Sequence, residues 1–342
     1  MLASSVVLRA HERIDYKRCQ MKWFWAWRKG LTPRGQSFGP LEFGIWVHEA
    51  LARWYQEGFV RDGELSDIFE HVAEASLKSA MAAQVPQHEI DTATQLIALG
   101  IEILRAYQVY YRNDRRIEVI IAEIPLEFTF PSDKGGVLAT HRLKPDLVFY
   151  CTVTKRVMLM EHKTAKQIRT THLVIDDQAR PYGAMAERAL KQAGVLHRNE
   201  SLGGIRYNFL RKALPDQRPT DKHGRSLNKD GTISRRQPAP LFVRQDVLMT
   251  GKAKVVTLQR IRREAIEIAR KTAAIRAGNL SMDQLNKTPH SSCEKHCQYF
   301  SMCVAHENGH DIRHMQETMY VQRDPYAYDE DTTDELTSFE MG

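Results

Sequence analysis

The chain has 342 residues, 42% of them hydrophobic and 27% charged, values near globular averages that exclude wholesale disorder. No run approaches the roughly 18 apolar residues of a membrane span, and the apolar stretch in MLASSVVLRAHERID is too short for a secretory signal. A cytoplasmic protein without a membrane partner is therefore expected. The net charge of +7 is uneven: residues 324–342 carry seven acids and no Lys or Arg, leaving residues 1–323 with 49 bases against 35 acids. A basic body suits a polyanion, above all nucleic acid; an ordinary solvated basic surface is the plain alternative.

In chain order, residues 1–58 read as helical and aromatic. Phe43, Trp46, Val47, Ala50, Leu51 and Trp54 recur at helical spacing. Trp23, Trp25 and Trp27 alternate beside Lys22 and Arg28 and suit either core packing or base stacking. Residues 91–112 predict a second amphipathic helix. Residues 117–130, rich in β-branched and aromatic side chains, predict a strand, and VLATHRLKPDLVFY and RVMLMEHKT predict more. A helix over 176–194 and a strand over 204–212 follow. The stretch 215–240 is rich in Pro, Gly and polar residues and predicts a mobile basic loop. A helix over 255–276 comes next, and the acidic end predicts disorder. Helices flanking a mixed sheet make an α/β arrangement.

Two constellations carry chemistry. In KPDLVFYCTVTKRVMLMEHKTA, a hairpin turning at Val153–Thr154 sets Asp146 opposite Glu161, with Lys163 on the same face. Convergent carboxylates need a cation between them, and hard oxygens suit Mg²⁺ or Mn²⁺. Such an ion polarises a phosphodiester, and Lys163 orients water or offsets charge in the transition state. A cross-strand salt bridge on a solvated face is the alternative. His162 points to the opposite face and is given no side-chain role. The second constellation is CEKHCQYFSMC, with Cys293, Cys297 and Cys303 within eleven residues. Five cysteines, an odd number, favour metal or free thiols over a disulfide framework; Cys151 reads as a small packed hydrophobe.

Pro145-Asp146 before an apolar strand and Glu161-His-Lys163-Thr at its partner's end resemble the PD-(D/E)XK nuclease superfamily. Gly44-Ile-Trp-Val-His48, Gln178-Ala-Arg-Pro-Tyr182, and Cys19 with the late cysteine triplet are similar to its RecB-type branch, including AddB-type subunits and CRISPR-associated adaptation exonucleases. The resemblance implies a restriction-endonuclease-like α/β fold, its mixed central sheet flanked by helices. It implies that His48, Asp146 and Glu161 bind Mg²⁺ or Mn²⁺, that Asp146, Glu161 and Lys163 are catalytic, and that Gln178 and Tyr182 hold DNA or support the site. Glu123 matches a position that assists the metal. Cys19, Cys293, Cys297 and Cys303 would hold a [4Fe–4S] cluster joining the N- and C-terminal helical segments, with structural Zn²⁺ as the rival. Two features depart from the pattern: Pro181 inside the Gln-Tyr motif and the three-residue gap between Cys293 and Cys297.

The implied layout is an N-terminal helical region (1–115), a nuclease core (116–215), the basic loop (216–240), a C-terminal helical region with three cluster cysteines (241–323) and the acidic tail (324–342). The implied activity is metal-dependent DNA exonuclease action in recombination, repair or end processing, on DNA with a free end or a single strand. A non-catalytic DNA-binding subunit and a structure-specific endonuclease are the alternatives. GIRYNFLRKALP followed by a Gly-rich basic loop resembles virus-encoded members, which would place the protein in a host cytoplasm.

Overall fold

The computed structural model describes residues 5–35, 38–56, 64–177 and 179–327. In chain order the elements begin with β1 (Val6–Leu8), α1 (Ala10–Arg18), α2 (Gln20–Trp23), which runs into a π-helical turn over Phe24–Arg28, and β2 (Leu31–Pro33). Then come α3 (Pro40–Tyr55), α4 (Leu65–Ala82), α5 (Gln87–Tyr111), β3 (Ile117–Ala122), β4 (Leu126–Pro131), β5 (Val137–Leu143), β6 (Leu147–Cys151) and β7 (Arg156–Ala165). After a 3₁₀ turn over Thr171–Ile175 follow α6 (Ala179–Gln192), β8 (Leu202–Arg211), β9 (Phe242–Leu248) and α7 (Gly251–Arg276). The chain closes with α8 (Cys293–His296), α9 (Phe300–Glu307), α10 (Arg313–Met319) and β10 (Tyr320–Gln322).

These elements form two compact units. The first comprises Met1–Gly35, Glu127–Leu143 and Val256–Gly342, and the second Gln36–Leu126 and Lys144–Val255. The second unit holds a five-stranded sheet in the order β3-β6-β7-β8-β9. Only β7 and β8 pair in parallel, and α6 makes the crossover between them. The sheet is thus mixed, as expected. β6 is buried along nearly its whole length, which explains its unbroken apolar run. Against this unit's sheet the core gathers Phe43, Trp46, Leu51, Trp54, Phe69, Tyr107, Phe149 and Met158. α3 begins with Pro40 in its first turn, where a missing N–H costs nothing, and buries the stripe its spacing predicts.

The strand expected over 117–130 is two strands in different sheets. β3 joins the five-stranded sheet, and β4 joins a three-stranded sheet in the order β1-β5-β4. Glu123 adopts a left-handed φ of 52° and Pro125 follows, so the extended run is interrupted twice. Pro145 divides the next run in the same way, sending β5 and β6 to different sheets.

The first unit carries its own ties between the two ends of the chain. β2 pairs antiparallel with β10, the Gln20 amide donates to the Asn286 carbonyl at 3.0 Å, and Trp25 packs on Tyr299 with ring centroids 5.6 Å apart. Trp23 and Trp25 are 0% and 1% exposed, so packing wins and stacking of bases on these two rings is excluded.

Two other expectations change. The region expected to be a mobile loop is knit together locally: Arg218 and the Ser226 hydroxyl both donate to Asp216, each with a 2.7 Å contact, and Thr220 bridges Ser226 while Leu227 bridges Ile233. The start of the segment expected to be disordered is tied down: the Tyr326 hydroxyl donates to Glu12 at 2.9 Å and Arg142 donates to the Tyr326 carbonyl at 2.6 Å. Residues 328–342, with six of the seven tail acids, lie outside the described residues. No helix among the described residues is long and apolar enough to cross a membrane.

Candidate active site

The register of β6 and β7 builds the site. Leu147 pairs with Met160 and Cys151 with Arg156, the register expected from sequence, so Asp146 and Glu161 fall opposite each other one step beyond the last bridge. The Asp146 Oδ2 accepts the His162 backbone N–H at 2.6 Å, which pins the loop carboxylate to the neighbouring strand. The Lys163 Nζ donates to the Glu161 Oε1 at 2.6 Å, since residues two apart on a strand share a face. α3 brings His48 from the other side, its Nδ1 3.3 Å from Asp146 Oδ1.

Glu123 completes the cluster. Its left-handed backbone ends β3 and donates its N–H to the Asp146 carbonyl at 3.2 Å. Its carboxylate pairs with Lys144 at 2.9 Å. One donor atom from each of His48, Glu123 and Asp146 lies within 4.8 Å of the others, which makes them a candidate metal site among the described residues. The metal set expected from resemblance contained Glu161 where this group contains Glu123. Glu161 is buried beside the group, with its Oε1 occupied by Lys163.

The electrostatics report crowded negative charge. Burial pulls the His48 imidazolium down, but the adjacent Asp146 carboxylate outweighs it and the pKa is pushed up to about 9. Burial also opposes ionisation of Asp146, yet His48 and the His162 amide hold it well below the usual carboxylate range. Burial, with Asp146 beside it, pushes Glu123 up to about 7 against the pull of Lys144 and His48. Burial raises Glu161 too, despite Lys163. A proton on His48 and a raised Glu123 are what a cluster of acids adopts when hydrogen ions supply the compensating charge. A divalent cation would displace that proton. One imidazole and hard carboxylate oxygens fit Mg²⁺ or Mn²⁺.

His162 has more structure around it than its position on the opposite face suggested. It is buried, stacks on Tyr55 at 5.9 Å and accepts from the Asn208 amide at 2.9 Å. Asn208 also donates to Tyr107 at 2.8 Å, and Arg244 donates to Tyr55 at 2.8 Å and Tyr107 at 3.1 Å. This polar layer under the site had no sequence signal, because its members come from α3, α5, β7, β8 and β9. Gln178 lies outside the described residues. Tyr182 sits half-buried in the first turn of α6, which starts just before Pro181. Asp176 accepts the Ala179 amide at 2.6 Å and helps hold Lys163 charged, so the head of α6 borders the site.

The four cysteines expected to hold a cluster all belong to the first unit. Cys19 separates α1 from α2, Cys293 opens α8, Cys297 ends it and Cys303 lies in α9. All are half-buried free thiols. Burial pushes the Cys297 thiol up, as do Cys293 and Cys19; burial likewise raises Cys303, with Cys19 and Cys297 adding to it. No group of three or more cysteines among the described residues brings all its sulfurs within 4.8 Å of one another, so no cysteine cluster among the described residues itself supports the iron–sulfur bridge expected between the two ends. Cys151 is buried, as expected.

The sequence profile of the PD-(D/E)XK nuclease superfamily matches residues 14–304. A crystal structure of a protein from Eubacterium rectale, provisionally described as an exonuclease, superposes with a TM-score of 0.44 at 10% identity, covering 85% of this chain and 93% of that one. No curated protein matches the chain.

Proposed function

Because the chain belongs to the PD-(D/E)XK nuclease superfamily, we propose that it is a metal-dependent DNA exonuclease acting in recombination, repair or end processing. One observation carries the reading: strand register sets Asp146 opposite Glu161, and Lys163 is bonded to Glu161 on the same face. His48, Asp146 and Glu161, with Glu123 assisting, hold Mg²⁺ or Mn²⁺. A divalent cation bound there supplies Lewis acidity to the scissile phosphate and lowers the pKa of water. Lys163, kept charged by Glu161 despite burial, orients the attacking water and offsets charge on the phosphorane-like transition state. The His162 amide holds Asp146 ionised and correctly turned. Gln178 and Tyr182 support the site or touch the strand, and the basic residues of the 216–240 loop and α7 contact backbone phosphates.

Cys19, Cys293, Cys297 and Cys303 are assigned to a [4Fe–4S] cluster. Support comes from their shared unit, their free state and the electrostatic influence the thiols exert on one another. Thiolates suit iron–sulfur or zinc. Anaerobic purification with iron, sulfide and zinc analysis decides: a brown protein with about four irons per chain is expected, and a colourless protein with one zinc removes the cluster.

The activity is tested on linear DNA labelled at either end, with closed circular DNA as the comparison. Release of mononucleotides from linear DNA only with Mg²⁺ or Mn²⁺, abolished by Asp146→Ala and by Lys163→Ala, is expected. Cleavage of the closed circle assigns an endonuclease instead. Variants that match the parent protein remove the catalytic assignment.

A further inference from the structure

The first unit encloses a half-open cavity of about 520 Å³ that takes no part in the metal site. Three segments wall it: the π-helical turn with Lys29, the end of α7, and the stretch after β10. Three aromatic rings stand in the wall, Phe24, Trp27 and Tyr326, the last two with centroids 5.8 Å apart and planes at 48°. Four cations line it, Arg28, Lys29, Arg276 and Arg323, against one acid, Asp324.

The wall is built rather than incidental. Arg28 bonds Glu12 and the Tyr326 hydroxyl and reaches Thr272 at 3.3 Å, which fixes the C-terminal stretch against the turn. Its Nε remains buried without a partner. The Trp27 Nε1 donates to Asp15 at 3.0 Å, so that ring is held in place. Gly30 takes a left-handed φ of 63°, and a Cβ there would collide with the Arg323 carbonyl. That close approach sets Lys29 and Arg323 on one rim, and the side chains of both are exposed, as is Arg276.

Fixed aromatic faces beside several cations match a base joined to a phosphate. The rings stack, and the cations meet the phosphate oxygens. A purely apolar ligand has no use for the exposed cations Lys29, Arg276 and Arg323, and a bare anion has none for the rings. We infer that this cavity binds one nucleotide unit of a single DNA strand, a second contact besides the metal site. The inference rests on the nucleic-acid reading given above.

The test uses the full-length protein and a fluorescein-labelled 12-nucleotide strand in EDTA, so that binding is read without cleavage. Lys29→Ala with Arg276→Ala is expected to weaken binding about tenfold and to flatten the salt dependence by about one to two units in log K against log salt. Lys78→Ala with Arg105→Ala, which removes two exposed charges elsewhere, is expected to change affinity less than twofold. Strand addition should quench tryptophan emission, and Trp27→Phe, which also loses the bond to Asp15, should remove that quench and weaken binding. Titration with deoxyadenosine triphosphate separates a strand from a free nucleotide: the tighter ligand is the occupant. If the Lys29/Arg276 variant binds with the parent's affinity and salt slope, the cavity is not a nucleotide site, even where the protein digests DNA. If the protein digests nothing but binds the strand through Lys29 and Arg276, the cavity stands and the exonuclease reading falls.

Discussion

At the scale of single residues, Glu123 is the most informative. Its left-handed backbone and its raised pKa belong to a carboxylate buried beside another carboxylate. If it assists the metal, Glu123→Gln should raise the Mg²⁺ or Mn²⁺ concentration needed for half-maximal hydrolysis about tenfold, with less effect at saturating metal. Asp146→Ala and Lys163→Ala should each reduce hydrolysis by about 100-fold or more at any metal concentration. Metal titration of the three variants separates the roles. His141 gives the pH prediction. It is 0% exposed, and burial with Arg13 nearby pulls its pKa down to about 3. The unfolded chain therefore binds a proton below about pH 6.5 that the folded chain refuses. Stability is complete above that value and falls by about 1.4 kcal/mol per pH unit towards pH 3 for this one group. Replacing His141 with Gln should lower the slope of stability between pH 6 and 4 by about one proton, measured by urea unfolding.

At the scale of elements, the sequence was legible where periodicity is strong and local. The stripe on α3 and the β6–β7 register appeared as expected because one buried face admits one register. The single strand expected over 117–130 is two, and the run over 137–150 is divided at Pro145. Apolar alternation persists through Glu123 and Lys144, and only the backbone turn at Glu123 and the prolines at 125 and 145 tell which sheet each half joins. α4 and β9 went unrecognised: α4 is an ordinary amphipathic run, and β9 mixes polar and apolar positions and sits next to the parallel strand's far edge. Packing of α4 on α5 yields a further prediction. A methyl at Gly100 would collide with the Phe69 ring, so Gly100→Ala should destabilise the protein by about 1–3 kcal/mol, although alanine is the better helix former. Thermal unfolding followed by circular dichroism measures it, and a more stable variant would show that Phe69 can step aside.

At the scale of the whole chain, charge and composition pointed to a polyanion, and the superfamily match agrees with a nucleic-acid substrate. What remained hidden were contacts between segments remote in sequence, such as Tyr326 with Glu12, since no local pattern announces them. A chain ending at Arg323 should therefore melt several degrees lower than one ending at Ala327, because the buried Glu12 carboxylate loses a donor. Differential scanning fluorimetry decides between them.

The chain leaves the second unit after Leu126, only three residues past Glu123, and re-enters it at Lys144, two residues before Asp146. Both acids thus stand at the feet of a tether. Slack introduced at a foot should be felt by the ion, while slack at the far tip should not. Four Gly-Ser residues inserted between Ile124 and Pro125 should lower metal affinity, and the same insertion after Gly135 should leave it within about twofold. Seen this way, the two oxygen donors lie at the two ends of one excursion of the backbone, joined at its base by the Glu123 N–H bond to the Asp146 carbonyl.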